Sequence, residues 1–257
     1  MKKARTIGTV VETELGLFCL MPEDGVGTYV LLEHPETLVS EVKGAVRAMP
    51  RFGKALVVGA HIGTIAVPLS THCSELVAVE PNPRAFELLT VNAALNGGSN
   101  MTLVNVAANN MISELKFVVN YQNSGSSKRM PLYPDAEWFD SKHEIIRVPS
   151  APLDEVLLDH EFDLIFMDCE GSEYFAFLGM QRLLKAAYTL IVEFIPGHVT
   201  RVAGVTMADW VEPLVENFGC LHVPSTGRVV GAGDFESVLS DMATKGQSDS
   251  GLVFRKA

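Results

Sequence analysis

From Lys54 onward the chain repeats one pattern: a short, uninterrupted apolar run, a turn, and a spacer of helical periodicity. "ALVVG" leads into "TIAVPLSTH", "ELVAVE" into "NPRAFELLTVNAALNGG", "FDLIFMD" into "SEYFAFLGMQRLLKAA", and "YTLIVEF" into "MADWVEPLVENFG". An apolar run without polar alternation suits a strand covered on both faces, and parallel neighbours need a crossover of about this length. The repeat therefore predicts βαβ units and an α/β fold built on a mostly parallel sheet. "MTLVNVAA", "CLHVP" and "SGLVFRK" add strands. Ahead of the repeat, "TIGTVVET", "LGLFCLM" and "GTYVLLE" read as short strands, with the turn "PEDGVG" between the last two. "PETLVSEVKGAVRAM" has the spacing of an amphipathic helix. The expected division is an N-terminal β-rich extension and helix over residues 1–50, packed on a sheet domain over residues 51–257. The alternation breaks over about 109–161, an insertion expected to carry substrate contacts.

A chain of 257 residues that is 47% hydrophobic and 20% charged can bury a large core. Its formal net charge of -11 disfavours nonspecific binding to a polyanion, so no nucleic acid partner is expected. Lys128-Arg129 is the one small basic candidate patch. Cys19, Cys73, Cys169 and Cys220 lie far apart without a CxxC pair, which argues against zinc and a disulfide framework and for a reduced, cytoplasmic setting. No signal peptide, membrane span or membrane partner is expected. Oligomeric state is not legible.

In an open parallel sheet, ligands bind beyond the carboxyl ends of the strands. Gly59 and Gly63 fall in the loop after the first parallel strand, where glycine permits a tight turn and a close approach. A helix starting near Thr64 would offer free N–H groups and a positive dipole end. The spacing GAHIG is not GxGxxG, which weakens a phosphate cradle and a nicotinamide-linked oxidoreductase alike. Glu80 ends the next strand, 21 residues after Gly59. A carboxylate there can accept from both hydroxyls of a ribose. Asp168 ends a third strand and should emerge at the same edge, followed closely by Glu170, Gly171 and Glu173. With Glu193 these carboxylates could ligate a divalent cation, but a capped helix start explains them more simply, and no metal is expected.

"VVGAHIG", "VAVEPNP", "VNVAA", "FDLIFMDCEGSEYFAFLGM" and "LIVEF" stand in an order that resembles FkbM-type S-adenosylmethionine-dependent methyltransferases. The likeness runs from about Thr28 to Phe194, plus the closing strand pair. Its most specific part is "MDCEGSEYFAFLGM", similar to the family's D-x-E-G-x-E segment, and "YQNSGSS" resembles its Asn-Gly-Ser-rich stretch. The resemblance implies a class I methyltransferase (Rossmann-like) fold: a seven-stranded, mostly parallel sheet with an antiparallel last strand and flanking helices. It implies S-adenosyl-L-methionine as cofactor. Gly59, Ala60, His61 and Gly63 would wrap its methionine and ribose portions, and Glu80 would hold the ribose diol. Asn82, Asn105, Val106 and Ala107 would lie beside adenine, and Asp168 would face the amino or sulfonium end. Val57 stands where the family motif carries Asp, and His61 where it carries Asn.

The implied reaction is O-methylation of a small-molecule or sugar hydroxyl in a biosynthetic pathway. N-methylation of a peptide or amide side chain is the alternative, so the expected partner is a small-molecule, sugar or peptide acceptor. A noncatalytic cofactor-binding protein of the same fold is a third reading, motivated by Val57. A hydroxyl or amide acceptor gains from a general base. His198, which follows "YTLIVEF" through "IPG", is one candidate, with Glu193 and Glu170 beside it. Tyr121 and "NSGSS" are candidate substrate contacts, and Trp138 could cover a substrate or the sheet.

Overall fold

The computed structural model describes residues 8–135 and 138–256. Residues 1–7, the first part of the expected N-terminal extension, lie outside that range. Strands β1 (Thr9–Thr13) and β2 (Gly16–Leu20) pair as an antiparallel hairpin. The third expected strand is instead helix α1 (Gly25–Glu33). Asp24 caps it by accepting the Gly27 N–H at 2.8 Å, and that cap decides between helix and strand for a run with no alternation. Helix α2 (Glu36–Ala48) forms as its spacing predicts and buries Val42, Ala45 and Ala48.

The repeat then unfolds in order: β3 (Lys54–Val58), α3 (Ala66–Ser70), β4 (Glu75–Val79), α4 (Pro83–Leu95) and β5 (Met101–Val104). The insertion holds β6 (Ala107–Ala108), β7 (Ser113–Asn120), a 3-10 turn over Ser124–Ser126, β8 (Lys128–Arg129), β9 (His143–Ala151) and the short α5 (Leu153–Val156). After it come β10 (Leu164–Met167), α6 (Glu173–Leu178), α7 (Gln181–Ala186) and β11 (Thr189–Phe194). The chain closes with a π-helical turn over His198–Ala203, α8 (Met207–Val215), β12 (Cys220–Val223), β13 (Arg228–Gly231), α9 (Phe235–Thr244) and β14 (Asp249–Arg255).

The main sheet has eight strands in the order β13-β12-β14-β11-β10-β3-β4-β5. The neighbours from β5 through β11 pair in parallel, while β14 is inserted antiparallel between β11 and β12. The expected count of seven is corrected to eight by β13, an edge strand on β12 whose residues are mostly exposed and leave no apolar run to read. Alternate residues of each central strand serve opposite cores. Leu56, Val58, Val77, Val79, Ile165 and Met167 join Phe177, Trp210 and Phe235 on one face; Ala55, Val57, Leu76, Ala78, Leu164 and Phe166 join Val42, Ala45 and Leu69 on the other.

Two expected elements are divided. "MTLVNVAA" splits at Asn105, sending β6 into a second sheet of order β6-β9-β7-β8. This sheet has its own small core of Ala107, Phe117, Val119 and Val148. The helix after β10 breaks at Gly179, where any Cβ would strike the Asn109 carbonyl. Among the described residues no helix is long and apolar enough to cross a membrane.

Candidate active site

β3 ends at Val58 and the chain turns through Gly59 (φ +83°), His61 (φ +50°) and Gly63 (φ +96°). Three N–H groups of this loop are already paired within the backbone. Those of Gly59 and Ala60 donate to the Val79 carbonyl at 2.9 and 3.0 Å, and that of Gly63 to the Ala60 carbonyl at 2.8 Å. Helix α3 spans only five residues. The N–H groups of Gly59, Ala60 and Gly63 are therefore not free to anchor a ligand, and so short a helix adds little dipole. The glycines answer to packing: a Cβ on Gly59 would collide with the Asp168 carbonyl, and one on Gly63 would press on Leu89 and Val67.

Glu80 organises the loop. Its Oε2 accepts the His61 N–H at 2.8 Å and its Oε1 the Asn82 N–H at 2.7 Å. A carboxylate offers about four acceptor positions, so capacity remains. The side chain is buried, which pushes its pKa up to about 7 against the pull of those two N–H bonds.

A cavity of about 370 Å³ opens beyond the carboxyl ends of β3, β4 and β10. Gly59, Ala60, His61, Glu80, Val106, Ala107, Asp168 and Glu170 all line it, brought together from separate strand ends. Gly63, Asn82, Asn105, Glu193 and His198 are not among its lining residues. Asn82 instead caps α4 by accepting the Arg84 N–H at 3.1 Å. Asn105 donates to the Glu80 carbonyl at 2.7 Å and so fixes the strand end. Sequence reasoning missed Glu41 of α2, Arg129 of β8 and Phe117 of β7, which complete the walls. The Ser-rich turn also lines the cavity. Ser124 donates to Asp24 and lies 2.6 Å from His61 Nε2, which ties α1, the insertion and the glycine loop into one roof. Burial holds the His61 pKa below its usual value.

The segment after β10 is a strained turn: Glu170 has φ +52° and Gly171 φ +96°. Glu173 clamps it, its Oε1 accepting the Cys169 and Gly171 N–H groups at 2.9 and 3.3 Å. Burial pushes the Glu173 carboxyl up to about 6. Asp168 Oδ1 and Glu193 Oε2 are both buried atoms without a hydrogen-bond partner. Burial first, and then neighbouring carboxylates, drive both pKa values upward.

His198 lies behind this pair, buried against Trp138 with ring centroids 5.3 Å apart. Lys128 Nζ is 3.4 Å from His198 Nε2 and 2.9 Å from Glu170 Oε2. The ammonium donates, so Nε2 accepts and the ring is neutral. Burial, then the Lys128 charge, lowers the His198 pKa to about 3. The expectation of His198 as general base is corrected accordingly: the ring is off the cavity and poorly basic. Glu170, Glu193 and His198 have oxygen and nitrogen atoms close enough to share a cation. The Lys128 ammonium already supplies a positive charge to two of them. Tyr121, an expected substrate contact, donates to Glu144 at 2.6 Å and is not a lining residue.

The sequence pattern of one protein family, the methyltransferase FkbM domain, matches residues 58–220. Among solved structures, the chain resembles methyltransferase FkbM from Methylobacillus flagellatus KT at 15% identity, over 88% of this chain and 52% of that one, with a TM-score of 0.41. It resembles the 16S rRNA N2 G1207 methyltransferase of T. Thermophilus, in complex with AdoMet and guanosine, at 12% identity over 97% and 50% of the two chains, with a TM-score of 0.48. It also resembles the magnesium protoporphyrin IX methyltransferase of Synechocystis PCC 6803 with bound SAM, at 12% identity over 90% and 83%, with a TM-score of 0.46. No curated protein matches the chain in sequence.

Proposed function

The chain belongs to the FkbM methyltransferase family of S-adenosylmethionine-dependent enzymes, and from that premise we propose that it methylates a hydroxyl oxygen of a small molecule or sugar in a biosynthetic pathway. The cavity suits the cofactor. Its volume lies in the range of small-molecule sites, and Glu80 brings a buried carboxylate with acceptor capacity to spare. Glu80 would hold the ribose diol, and Val79, Pro81, Val106 and Ala107 would flank the base. Asp168 would face the cationic end, with Gly59, Ala60 and His61 closing the near wall. When bound, the cofactor supplies a methyl group already activated by its sulfonium charge.

What remains for the chain is to align an acceptor oxygen and remove its proton. Alignment of this kind is worth up to ~7–11 kcal/mol. The observation that carries the hydroxyl reading is Asp168, which lines the cavity with a buried Oδ1 that no donor satisfies, so its carboxylate is placed to take a proton from an acceptor hydroxyl. A cation beside Asp168 favours its ionised form. Glu170, held by Lys128, and the turn at Ser124–Ser127 would border the acceptor.

Incubation with methyl-labelled cofactor and parallel sets of hydroxyl and amide acceptors tests the reading. Label recovered as a methyl ether supports it, and label on nitrogen overturns it. Absence of S-adenosylhomocysteine binding at millimolar concentration would overturn the use of this cofactor by the chain.

The Glu80 pKa of about 7 gives a pH prediction. The ionised carboxylate is the form that accepts two hydroxyl donors. Below about pH 7 binding must first expel a proton, so affinity for S-adenosylhomocysteine should fall as the pH drops from about 8 to about 6, by at most tenfold per pH unit. Glu80→Gln should flatten this profile and weaken binding about tenfold or more at pH 8, since a hydrogen bond to a charged group contributes roughly 1.5–3 kcal/mol. Isothermal calorimetry of both proteins across that range checks it. Identical profiles would remove Glu80 from the cofactor site.

A further inference from the structure

The two basic residues of β8 have different fates. Lys128 turns inward to Glu170 and His198. Arg129 pairs with Phe117 across the β7–β8 ladder, and both line the cavity. The Arg129 guanidinium lies over the Phe175 ring, 3.5 Å from its centroid. Its Nη1 is buried and has no acceptor. No carboxylate among the described residues forms an ion pair with it, although the chain carries 31 acidic residues against 20 basic ones. Of the four carboxylates that line the cavity with it, Glu170 holds Lys128 and Glu80 holds two backbone N–H groups, and neither Glu41 nor Asp168 forms an ion pair with Arg129.

Burial without a counter-charge lowers the Arg129 pKa to about 10, which leaves it fully charged at neutral pH. A buried charge without a partner is strongly unfavourable and persists where something outside the fold completes it. Ring stacking fixes the guanidinium plane, and a planar fork matches a planar anion through two parallel N–H···O bonds.

We propose that Arg129 is a carboxylate-binding residue, so that the ligand filling this cavity presents a carboxylate to β8. The proposal rests on the methyltransferase reading for what fills the cavity, and it narrows the ligand's chemistry. The carboxylate has two possible sources. It belongs to the amino-acid end of the cofactor, or to an acidic acceptor.

Calorimetry with S-adenosylhomocysteine and with 5′-methylthioadenosine, which keeps the nucleoside and thioether but lacks the carboxylate, separates the sources. If the cofactor supplies it, Arg129→Gln weakens S-adenosylhomocysteine about tenfold or more and leaves 5′-methylthioadenosine unchanged. If the acceptor supplies it, both affinities hold. Acetate or benzoate then raises the melting temperature of the wild-type protein saturated with S-adenosylhomocysteine, but not that of Arg129→Gln. Because Arg129 has no ion-pair partner to lose, Arg129→Gln should melt at or above the wild-type temperature. Arg129→Lys, which keeps the charge but not the fork, should recover only part of the affinity.

Equal weakening of both nucleosides by Arg129→Gln overturns the proposal, as does an unchanged response to every carboxylate probe. Failure of the methyltransferase reading looks different: the wild-type protein binds neither nucleoside. The carboxylate melting shift, measured without nucleoside, then still decides for or against Arg129.

Discussion

Gly59→Val should lower the melting temperature by about 10 °C or more, whether or not a ligand is present. Gly59 sits at φ +83°, where an L-residue costs roughly 1–2 kcal/mol and a β-branched one more. Steric overlap adds a greater penalty. The first side-chain atom would collide with the Asp168 carbonyl at the end of β10, and that backbone is held by the Asp168 N–H bond to the Val58 carbonyl at 3.0 Å. Relief requires β3 and β10 to separate at the centre of the sheet, an overpacking cost of about 1–3 kcal/mol or more. Gly59→Ala carries the same collision and should lose most of the same stability. Thermal unfolding followed by circular dichroism is the measurement. A valine variant that melts like the wild type and has lost only cofactor binding would show that Gly59 meets the ligand rather than the neighbouring strand.

The same residue shows how sequence reading divides. The two glycines are legible as a special turn, because a buried strand ending in GAHIG has few other uses. Which neighbour demands them is not legible, since the Asp168 carbonyl comes from a strand more than a hundred residues away. Glu80 and Asp168 are readable as cavity residues because their place at strand ends is local, and the parallel sheet aligns those ends. Arg129 is readable only as half of a basic pair. A strand alternates its side chains, so the pair divides, and the register against Phe117 that aims Arg129 cannot be derived from composition. His198 looks like a base because it follows a strand end through a short turn and an unperturbed imidazole titrates near neutral pH. Its burial is set by Trp138 and Lys128, both from the insertion. In the fold, apolar runs buried on both faces announce the central strands, whereas β13 is mostly exposed and gives no signal. The α1 segment departs from expectation because the run "GTYVLLE" fits helix and strand alike until the Asp24 cap is weighed.

Lys128→Met should cost about 3–5 kcal/mol near pH 8, the usual penalty for removing one partner of a buried ion pair. Lys128 is 3% exposed, bonds Glu170 and His198, and lies 4.8 Å over the Trp138 ring. Its loss leaves Glu170 beside Asp168, Glu173 and Glu193 with no cation among them. The effect must depend on pH, and the sign follows from His198. In the wild type the folded-state pKa of His198 is about 3, against 6.5 for the free side chain. The unfolded side chain then binds a proton across that interval and the folded one does not, so the His198 contribution to wild-type stability is lost as the pH falls from about 6.5 towards about 3, against the opposite contribution of Glu80 and Glu173, whose raised values favour the fold as the pH falls. Part of that depression comes from the Lys128 charge. Without it, His198 takes a proton more readily, and the imidazolium finds Glu170 Oε2 at 3.4 Å and Glu193 Oε2 at 3.9 Å. The variant should therefore be far less stable than the wild type at pH 8 and should close much of the gap by about pH 5, as His198 replaces the missing cation. Urea unfolding of both proteins at several pH values measures this convergence. Parallel profiles, or equal stability at pH 8, would mean that the carboxylates around the cavity do not depend on Lys128 for their charge balance.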